Sequence, residues 1–325
     1  MMRLVQTRPD EVLVVGEALV DIIPCAHGTE EHPGGSPANV ALGLARLGAP
    51  TSFLTAIARD PRGEAIASRL GADNVRLLPE SWSAVRTATA EAEIRADGSA
   101  AYSFDIEWAL PENIELPAAR HLHIGSISAF LHPGADRVQQ IARTLREAGA
   151  TVSLDPNIRP ALTGDPEPAQ MRFQRLAALA HLVKLSDEDA AFLYPDLAPT
   201  QAVRAIGLLG PVVALTRGQA GSLLYAGRDI IEVGPVPTAV SDTVGAGDSY
   251  MSALLWALLR RIGWPFEPGD DHELAAAGAF AAAAAAITVS RRGAQPPTLH
   301  EINKPVAVGP GPRSNVGGHG SSARQ

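Results

Sequence analysis

The sequence contains little cysteine, little charge and no excess of basic residues. Its 325 residues include a single cysteine, Cys25, which excludes an internal disulfide framework and is typical of a reducing cytosol. Charged residues make up 19% of the chain, and 35 acidic residues outnumber 27 basic ones, for a formal net charge of -8. This acidic balance disfavours nucleic acid and anionic membranes as partners.

Signals for export or membrane insertion are also lacking. The first ten residues carry Arg3, Arg8 and Pro9 but no apolar core, so no signal peptide is predicted and a cytoplasmic location is expected. Residues 275–287 are apolar but short and rich in alanine. They predict a buried helix, because a membrane-spanning helix needs about 20 apolar residues.

Short apolar runs recur along the chain, each followed by small or polar residues. Between them lie helical patterns such as residues 138–148 and 168–180. The runs occupy Val12–Val15 and residues 122–124, 151–154, 182–185 and 212–215. Strand alternating with helix predicts right-handed βαβ units, and hence an α/β fold with a mainly parallel sheet between two helical layers. Ligands of such folds bind at the carboxyl ends of the strands.

Three segments interrupt this rhythm. Residues 16–35 and 83–108 alternate apolar and polar positions, and Asp97 with Gly98 is a strong hairpin signal, so a small separate β-sheet is predicted there. Residues 303–325 are rich in Gly, Ser and Pro without periodic apolar positions, which predicts a disordered tail. A single domain over residues 11–302 remains.

The most informative motif is Asp-Thr-Val-Gly-Ala-Gly-Asp-Ser at residues 242–249. An apolar helical pattern follows it, so the amides of Gly245, Ala246 and Gly247 are expected at a helix N-terminus, where an anion such as phosphate binds well. Asp248 stands in the same turn, although its charge would repel phosphate. A carboxylate there is useful if it removes a proton from a hydroxyl that attacks the phosphorus. The alternative is an ordinary turn with Asp248 at the helix start.

The motif resembles the C-terminal signature of the ribokinase-like (PfkB) carbohydrate kinases, and the similarity extends over about residues 11–300. It implies a three-layer α/β/α kinase domain whose small β-sheet, in segments 16–35 and 83–108, forms a lid over a sugar. It also implies ATP and Mg²⁺ as cofactors, with Asp248 as catalytic base and the amides of Gly245 to Gly247 around the γ-phosphoryl group. A P-loop is not supported, because Gly-x4-Gly-Lys-[Ser/Thr] is absent.

The sugar side of the site is predicted from residues 32–41. Ser36 is suited to a helix N-cap, Gly34 and Gly35 permit close approach of a ligand, and Asn39 offers donors and acceptors to hydroxyl groups. Asp21 interrupts an apolar series, and sugar hydroxyls are suitable partners for a buried carboxylate. A plain capped loop, with Asp21 facing water, is the alternative. The block resembles the family's N-terminal signature.

The substrate class is predicted from the Asp-Pro-Asn-x-Arg stretch ending at Arg159. It resembles the fructokinase-like and ketodeoxygluconate-kinase-like branches, in which Arg159 would bind phosphate or substrate oxygens; a structural turn with a surface Arg159 is the alternative. Residues 104–107 lack the lid arginine of acid-sugar members, so fructose is favoured, while ribose and nucleosides stay open. A non-catalytic sugar sensor on the same fold is the alternative of a different class.

The nucleotide side rests on weaker matches. Residues 184–189 align with the family's Asn-x-x-Glu segment, Ser186 replacing Asn and Asp189 replacing Glu. The resemblance implies that the nucleotide binds near Lys184, Ser186, Thr216, Gly218 and Gly221. It places Mg²⁺ near Asp189 and a monovalent cation such as K⁺ near Asp242. A homodimer formed through the lid is also expected, because sheet edges commonly pair.

Overall fold

The computed structural model describes residues 2–6, 8, 10–25, 28–94, 100–262 and 271–304. In that part of the chain the strands are β1 Met2–Val5, β2 Val12–Val15, β3 Leu19–Cys25, β4 Gly28–Gly34, β5 Thr51–Leu54, β6 Arg76–Leu77, β7 Thr89–Ile94, β8 Ala100–Asp105, β9 Ile114–Pro117, β10 His121–Gly125, β11 Thr151–Asp155, β12 Leu182–Ser186, β13 Val212–Thr216, β14 Ser222–Tyr225 and β15 Ile230–Val233. The α-helices are α1 Ser36–Arg46, α2 Pro61–Ala72, α3 Gly134–Glu147, α4 Pro160–Thr163, α5 Pro166–Ala177, α6 Asp187–Leu193, α7 Pro199–Gly207, α8 Ala246–Ala257, α9 Asp271–Val289 and α10 Leu299–Ile302.

The main sheet is mostly parallel, as predicted. Within the described ranges its strand order is β15-β14-β13-β12-β11-β10-β2-β5-β6. All neighbours from β13 to β6 pair in parallel, and β14 and β15 add an antiparallel edge. Each of the five predicted apolar runs forms one of the parallel strands. Their carboxyl ends therefore lie along one edge of the sheet, where the polar residues that follow them meet.

Side chains of the parallel strands alternate between two cores. Leu13 and Val15 pack on one face with residues of α3, α5, α6 and α7. Val12 and Val14 pack on the other face with residues of α1, α2, α8 and α9. Because strands covered by helices on both faces bury every position, they appear in the sequence as continuous apolar runs. The predicted three-layer α/β/α arrangement is confirmed.

Helix α9 contains the predicted buried helix of residues 275–287. Among the described helices it is the one whose length and hydropathy would allow it to cross a membrane, with 44% of its apolar window buried in the protein. It packs on α8, where the rings of Trp256 and Phe280 stack with centroids 5.2 Å apart. Leu274, Ala277 and Ala281 are also buried there. These contacts make α9 part of the second core.

A separate four-stranded sheet has the order β4-β3-β7-β8 among the described strands. It contains parts of both segments predicted to form a small sheet. Strands β7 and β8 are antiparallel, with Thr89 opposite Asp105 and Ile94 opposite Ala100. The predicted hairpin turn at Asp97 and Gly98 lies outside the described residues, as do residues 305–325 of the predicted tail.

Candidate active site

A cavity of about 1280 Å³ lies at the carboxyl ends of the parallel strands. It exceeds the roughly 300–1,000 Å³ usual for one small ligand, so it has room for two. Residues at the ends of five neighbouring strands line it: Glu17, Ser126, Asn157, Ser186 and Thr216. Most of the predicted site residues line it as well: Asp21, Gly35, Asn39, Arg159, Lys184, Ser186, Asp189, Thr216, Gly218, Gly221, Gly245, Ala246, Gly247 and Asp248.

Helix α8 begins in the cavity wall with the predicted glycine turn. Gly245 is its N-cap and has a left-handed backbone, with φ 75° and ψ 4°. A Cβ atom at Gly245 would lie 2.6 Å from the Cβ of Ala294, so both conformation and space require glycine there. Amides in the first turn of a helix have no acceptor within the helix and point outward. The turn can therefore bind an anion, as predicted.

Gly247 lies beside a charged side chain. A Cβ atom there would lie 2.9 Å from Nζ of Lys184, so the absence of a side chain leaves room for a buried ammonium group beside the turn. Lys184 is 4% exposed, and its Nζ donates to Oδ2 of Asp155 at 2.9 Å. Burial disfavours this charge, but the carboxylates of Asp155 and Asp189 outweigh burial and raise the pKa of Lys184. A permanent positive charge thus supports the anion site.

Asp248 is held by two residues of α1. It is 8% exposed; the hydroxyl of Ser36 donates to its Oδ1 at 2.7 Å, and Nδ2 of Asn39 donates to its Oδ2 at 2.9 Å. Each carboxylate oxygen has a second lone pair that can accept a proton. The carboxylate is therefore fixed in orientation and still able to act as a base.

The prediction that Ser36 caps α1 is wrong. Gly35 occupies the N-cap with φ 103°, and no side chain caps the helix. The hydroxyl of Ser36 bonds Asp248 instead, 212 residues away, because a charged acceptor makes a stronger hydrogen bond than a neutral one. Ser36 is thus a site residue that the sequence analysis missed.

Asp21 extends from β3 of the small sheet into the cavity. A Cβ atom at Gly34 would lie 2.2 Å from Oδ2 of Asp21, so Gly34 makes room for this carboxylate and does not itself line the cavity. Burial raises the pKa of Asp21 to about 6, although His32, Arg69 and Arg159 attract its charge. This buried carboxylate is an acceptor suited to hydroxyl groups.

The Asp-Pro-Asn-x-Arg block has divided roles. Asp155 is 1% exposed and lies beneath the site in contact with Lys184, so it is neither a surface turn residue nor part of the cavity wall. Arg159 is the N-cap of α4 and lines the cavity, and its Nη1 donates to the carbonyl of Ile158 at 3.0 Å. It is therefore positioned to reach a ligand, while Asp155 acts through Lys184.

Ser186 and Asp189 form a capping box at the start of α6. Oδ2 of Asp189 accepts from the amide and hydroxyl of Ser186, both at 2.8 Å, and Oδ1 accepts from the amide of Ile158 at 2.7 Å. No group of three or more His, Cys, Asp or Glu residues able to hold a metal occurs in the described part of the chain. A Mg²⁺ ion near Asp189 stays a prediction, and it would need ligands from the nucleotide.

Asp242 lies beside the cavity rather than in its wall. Its Oδ1 accepts from the amide of Val244 at 3.0 Å and its Oδ2 from the amide of Gly293 at 2.8 Å. Asp242 therefore joins the glycine turn to the loop after α9. The role of Asp242 at a K⁺ site stays a prediction.

The loop predicted to bind the nucleotide lies at the end of β13. Thr216 ends the strand, Gly218 and Gly221 have φ values of 51° and 78°, and all three line the cavity. A Cβ atom at Gly221 would lie 2.1 Å from the carbonyl oxygen of Val233. Gly221 thus allows this loop to lie close to β15, and contact with a nucleotide stays a prediction.

Comparison with known proteins identifies the family. Residues 9–301 match the family described as pfkB family carbohydrate kinase. The chain belongs to this family. ATP and a sugar are therefore its small-molecule substrates.

Relatives and solved structures support the kinase assignment. A fructokinase from Salmonella typhimurium is 32% identical over 261 residues, which cover 76% of this chain and 84% of the relative. A fructokinase from Vibrio cholerae, solved with fructose, ADP and calcium, has a TM-score of 0.77 at 26% identity and covers 90% of this chain and 97% of its own. An aminoimidazole riboside kinase from Salmonella enterica, solved with its riboside and an ATP analogue, also has a TM-score of 0.77 at 26% identity, with 90% and 99% covered. The predicted fold is confirmed.

The cavity combines groups that suit the two substrates of a carbohydrate kinase. Asp21 and Asn39 offer a carboxylate and an amide on the side of the small sheet, and Asp248, in the first turn of α8, is bonded to Asn39. The turn at Gly245 to Gly247 and Lys184 offer amide dipoles and a cation on the other side. Phosphoryl transfer depends mainly on positioning and electrostatic stabilisation, and this arrangement provides both.

Proposed function

We propose that this carbohydrate kinase is a fructokinase, which transfers the γ-phosphoryl group of ATP to a primary hydroxyl of fructose. The observation that carries the proposal is the position of Asp248. It lies in the first turn of α8, next to the outward amides of Gly245 and Gly247, and two α1 side chains fix its carboxylate. The Salmonella typhimurium and Vibrio cholerae relatives, both fructokinases, support fructose as the acceptor.

The proposed reaction is a single transfer. Asp248 accepts the proton of the sugar hydroxyl. At the same time the hydroxyl oxygen forms a bond to the γ-phosphorus, and the bond between that phosphorus and the ADP oxygen breaks. The amides of Gly245, Ala246 and Gly247 stabilise charge on the transferring group. Asp21, Gly34, Gly35 and Asn39 would form the sugar subsite, and Arg159 would lie where sugar and phosphate meet.

We propose Mg²⁺ with the nucleotide and a monovalent cation beside it. Mg²⁺ prefers phosphate oxygens and water with few protein ligands, so Asp189, whose oxygens already accept amide hydrogens, would contact it through water. K⁺ would lie near the Asp242 and Gly293 contact. Comparing the rate in KCl with the rate in an equal concentration of tetramethylammonium chloride tests the second proposal.

The preference for a neutral sugar is proposed from the charges of the site. The small sheet carries Asp105, whose carboxylate pairs with Arg86 at 2.7 Å, both exposed. A sugar acid would enter beside Asp21 and Asp248, while Arg86, a cation in the described part of the lid segment 83–108, is already paired with Asp105. We expect kcat/KM for fructose to exceed that for ketodeoxygluconate at least about tenfold, which is about 1.4 kcal/mol.

An assay of ADP release coupled to NADH oxidation, with fructose, ribose, ketodeoxygluconate, inosine and adenosine, tests the substrate. Fructose should give the highest kcat/KM. The likeness to the aminoimidazole riboside kinase supports a nucleoside kinase as the second candidate, which predicts that inosine or another riboside is the better substrate. If none of these acceptors gave ADP release, the result would favour the non-catalytic sugar sensor.

The remaining proposals concern the protein in solution. We propose a homodimer through the small sheet, because β4 and β8 are its edge strands in the described part of the chain. Light scattering after size exclusion tests this, and a mass of one chain would refute it. A cytoplasmic location without nucleic acid or membrane partners fits the net charge of -8 and the single cysteine.

A further inference from the structure

Glu17 is a buried carboxylate that the proposed reaction does not use. It lies between β2 and β3, lines the cavity and is 2% exposed. In the described part of the chain no cation pairs with it. A Cβ atom at Gly35 would lie 2.7 Å from the carbonyl oxygen of Glu17, so this residue also contacts the turn that starts α1. A buried carboxylate without a counter-ion is costly and calls for a function.

The partners of Glu17 belong to the turn after β10. Oε2 accepts from the amide of Ser128 at 2.9 Å. Burial raises the pKa of Glu17, and the nearby side chain of Ser126, two residues earlier in the same turn, favours the ionised form and so lowers that pKa in part. Oγ of Ser126 lies 3.4 Å from Nδ2 of Asn157, which follows β11. Glu17 thus holds the turn that carries Ser126, and Ser126 contacts Asn157, which forms a chain of contacts across three neighbouring strand ends.

The chemistry of Glu17 sets the direction of this chain. Above its raised pKa of about 7 the carboxylate is ionised and only accepts hydrogen bonds, so at pH 8 Ser126 can only donate to Glu17, and its oxygen is left to accept from Asn157. Nδ2 of Asn157 is thereby directed at Ser126. The amide oxygen of Asn157 is left as an acceptor for a ligand hydroxyl in the cavity that Asn157 lines.

Backbone strain marks the same residues. Ser126 has φ 57° and ψ -151°, and Asn157 has φ 36°. The amide of Ser126 donates to the carbonyl of Asp155 at 2.8 Å, which fixes the turn in this conformation. Non-glycine residues keep such conformations only where their surroundings enforce them, and these sites cluster where ligands bind.

We infer that Glu17 is a positioning residue of the sugar subsite, which acts through Ser126 to present the amide oxygen of Asn157 to a hydroxyl group of a neutral sugar. The inference rests on the proposed function and adds a second wall to that subsite. Asp21 contacts the sugar from the small sheet, whereas Asn157 would contact it from the end of the main sheet.

A double-mutant cycle tests the inference with Glu17→Gln, Asn157→Gly and the double variant. Glycine tolerates the φ of 36° at residue 157, so that change removes the side chain without adding strain. At pH 8, each single variant should raise KM for fructose about five- to tenfold, the scale of one hydrogen bond, and leave KM for ATP unchanged. The double variant should match Asn157→Gly alone, because Glu17 acts through Asn157. The inference would be overturned if the increases in KM for fructose of the two single variants multiplied in the double variant, or if KM for fructose and KM for ATP rose equally.

Ser126→Gly separates positioning from a structural role and remains informative if Glu17→Gln fails to fold. Glycine accepts the φ and ψ of residue 126, so Tm should not fall, yet the chain is broken and KM for fructose should rise as in the other variants. An unchanged KM with an equal or higher Tm would show that the chain is only structural. Turnover of fructose by the wild type tests the proposed function separately, and if another sugar is the substrate the same variants are measured with that sugar.

Discussion

Replacing Asp248 by asparagine removes one charge with almost no change of volume. The amide oxygen can accept the hydroxyl of Ser36, and Asn39 can rotate its own amide to accept from the new NH₂ group. Both hydrogen bonds to α1 therefore survive. We expect Asp248→Asn to fold with a Tm within a few degrees of the wild type, and to bind ATP at least as well because a negative charge has left the anion site.

The chemical step should suffer far more than the fold. An amide has no proton affinity at neutral pH, so the sugar hydroxyl would lose its proton to water. Loss of a general base typically slows turnover about 10²- to 10⁴-fold, and a hundredfold loss corresponds to about 2.7 kcal/mol of transition-state stabilisation. We therefore expect kcat to fall at least about 10²-fold, with KM for ATP nearly unchanged.

A matched variant controls for the helix. Asp271 is also an aspartate in the first turn of a helix, α9, but it is exposed and does not line the cavity. Asp271→Asn loses the same interaction with the helix dipole and should keep full activity. Both variants are measured by ADP release under saturating fructose and ATP. If Asp248→Asn retained wild-type turnover, the assignment of the base would be refuted.

Three further predictions follow from the contacts of the site. Asn39→Ala should raise KM for the sugar and lower kcat, because Asn39 donates to Asp248, and steady-state kinetics with an equal change in KM for ATP would contradict this. Burial raises the pKa of Glu17 from 4.5 to about 7, so folding favours its protonated form and stability is lost as the pH rises through this window. Between pH 5 and 8 the wild type should lose about 2 to 3 kcal/mol more unfolding free energy in urea than Glu17→Gln, and equal losses would argue against the shift. Deletion of residues 308–325 should leave Tm and activity unchanged, whereas a drop of several degrees would show that the tail packs on the domain.

The parallel sheet could be predicted because burial on both faces leaves a simple pattern. Val12–Val15 and the other four runs are almost wholly apolar, and each forms a strand. Strand β5 was not predicted, since its Thr51 and Ser52 are polar. The structure buries both, with Ser52 bonded to Glu11, so tertiary contacts satisfy groups that a sequence pattern treats as exposed.

The site could be predicted where its chemistry is local. Gly245 and Asp248 lie within four residues, and their spacing alone indicates an anion site with a base. Ser36 and Glu17 were missed because their roles depend on contacts with residues 212 and about 110 positions away. Ser36 was assigned the local role of a helix cap, and Glu17 follows a glycine at a strand end, where a solvated carboxylate is the ordinary expectation.

Two glycines of the site are present for a reason that the sequence does not show. The sequence predicts Gly34 as a point where a ligand approaches the backbone and Gly247 as an amide donor to an anion. In the structure the space beside Gly34 holds the carboxylate of Asp21, and that beside Gly247 holds the ammonium of Lys184. The missing Cβ atoms thus admit one negative and one positive group to the site. If the sugar binds beside Asp21, as proposed, a substrate with a carboxylate in place of a hydroxyl would meet repulsion at Asp21, so the preference for a neutral sugar would depend on packing as much as on the motif.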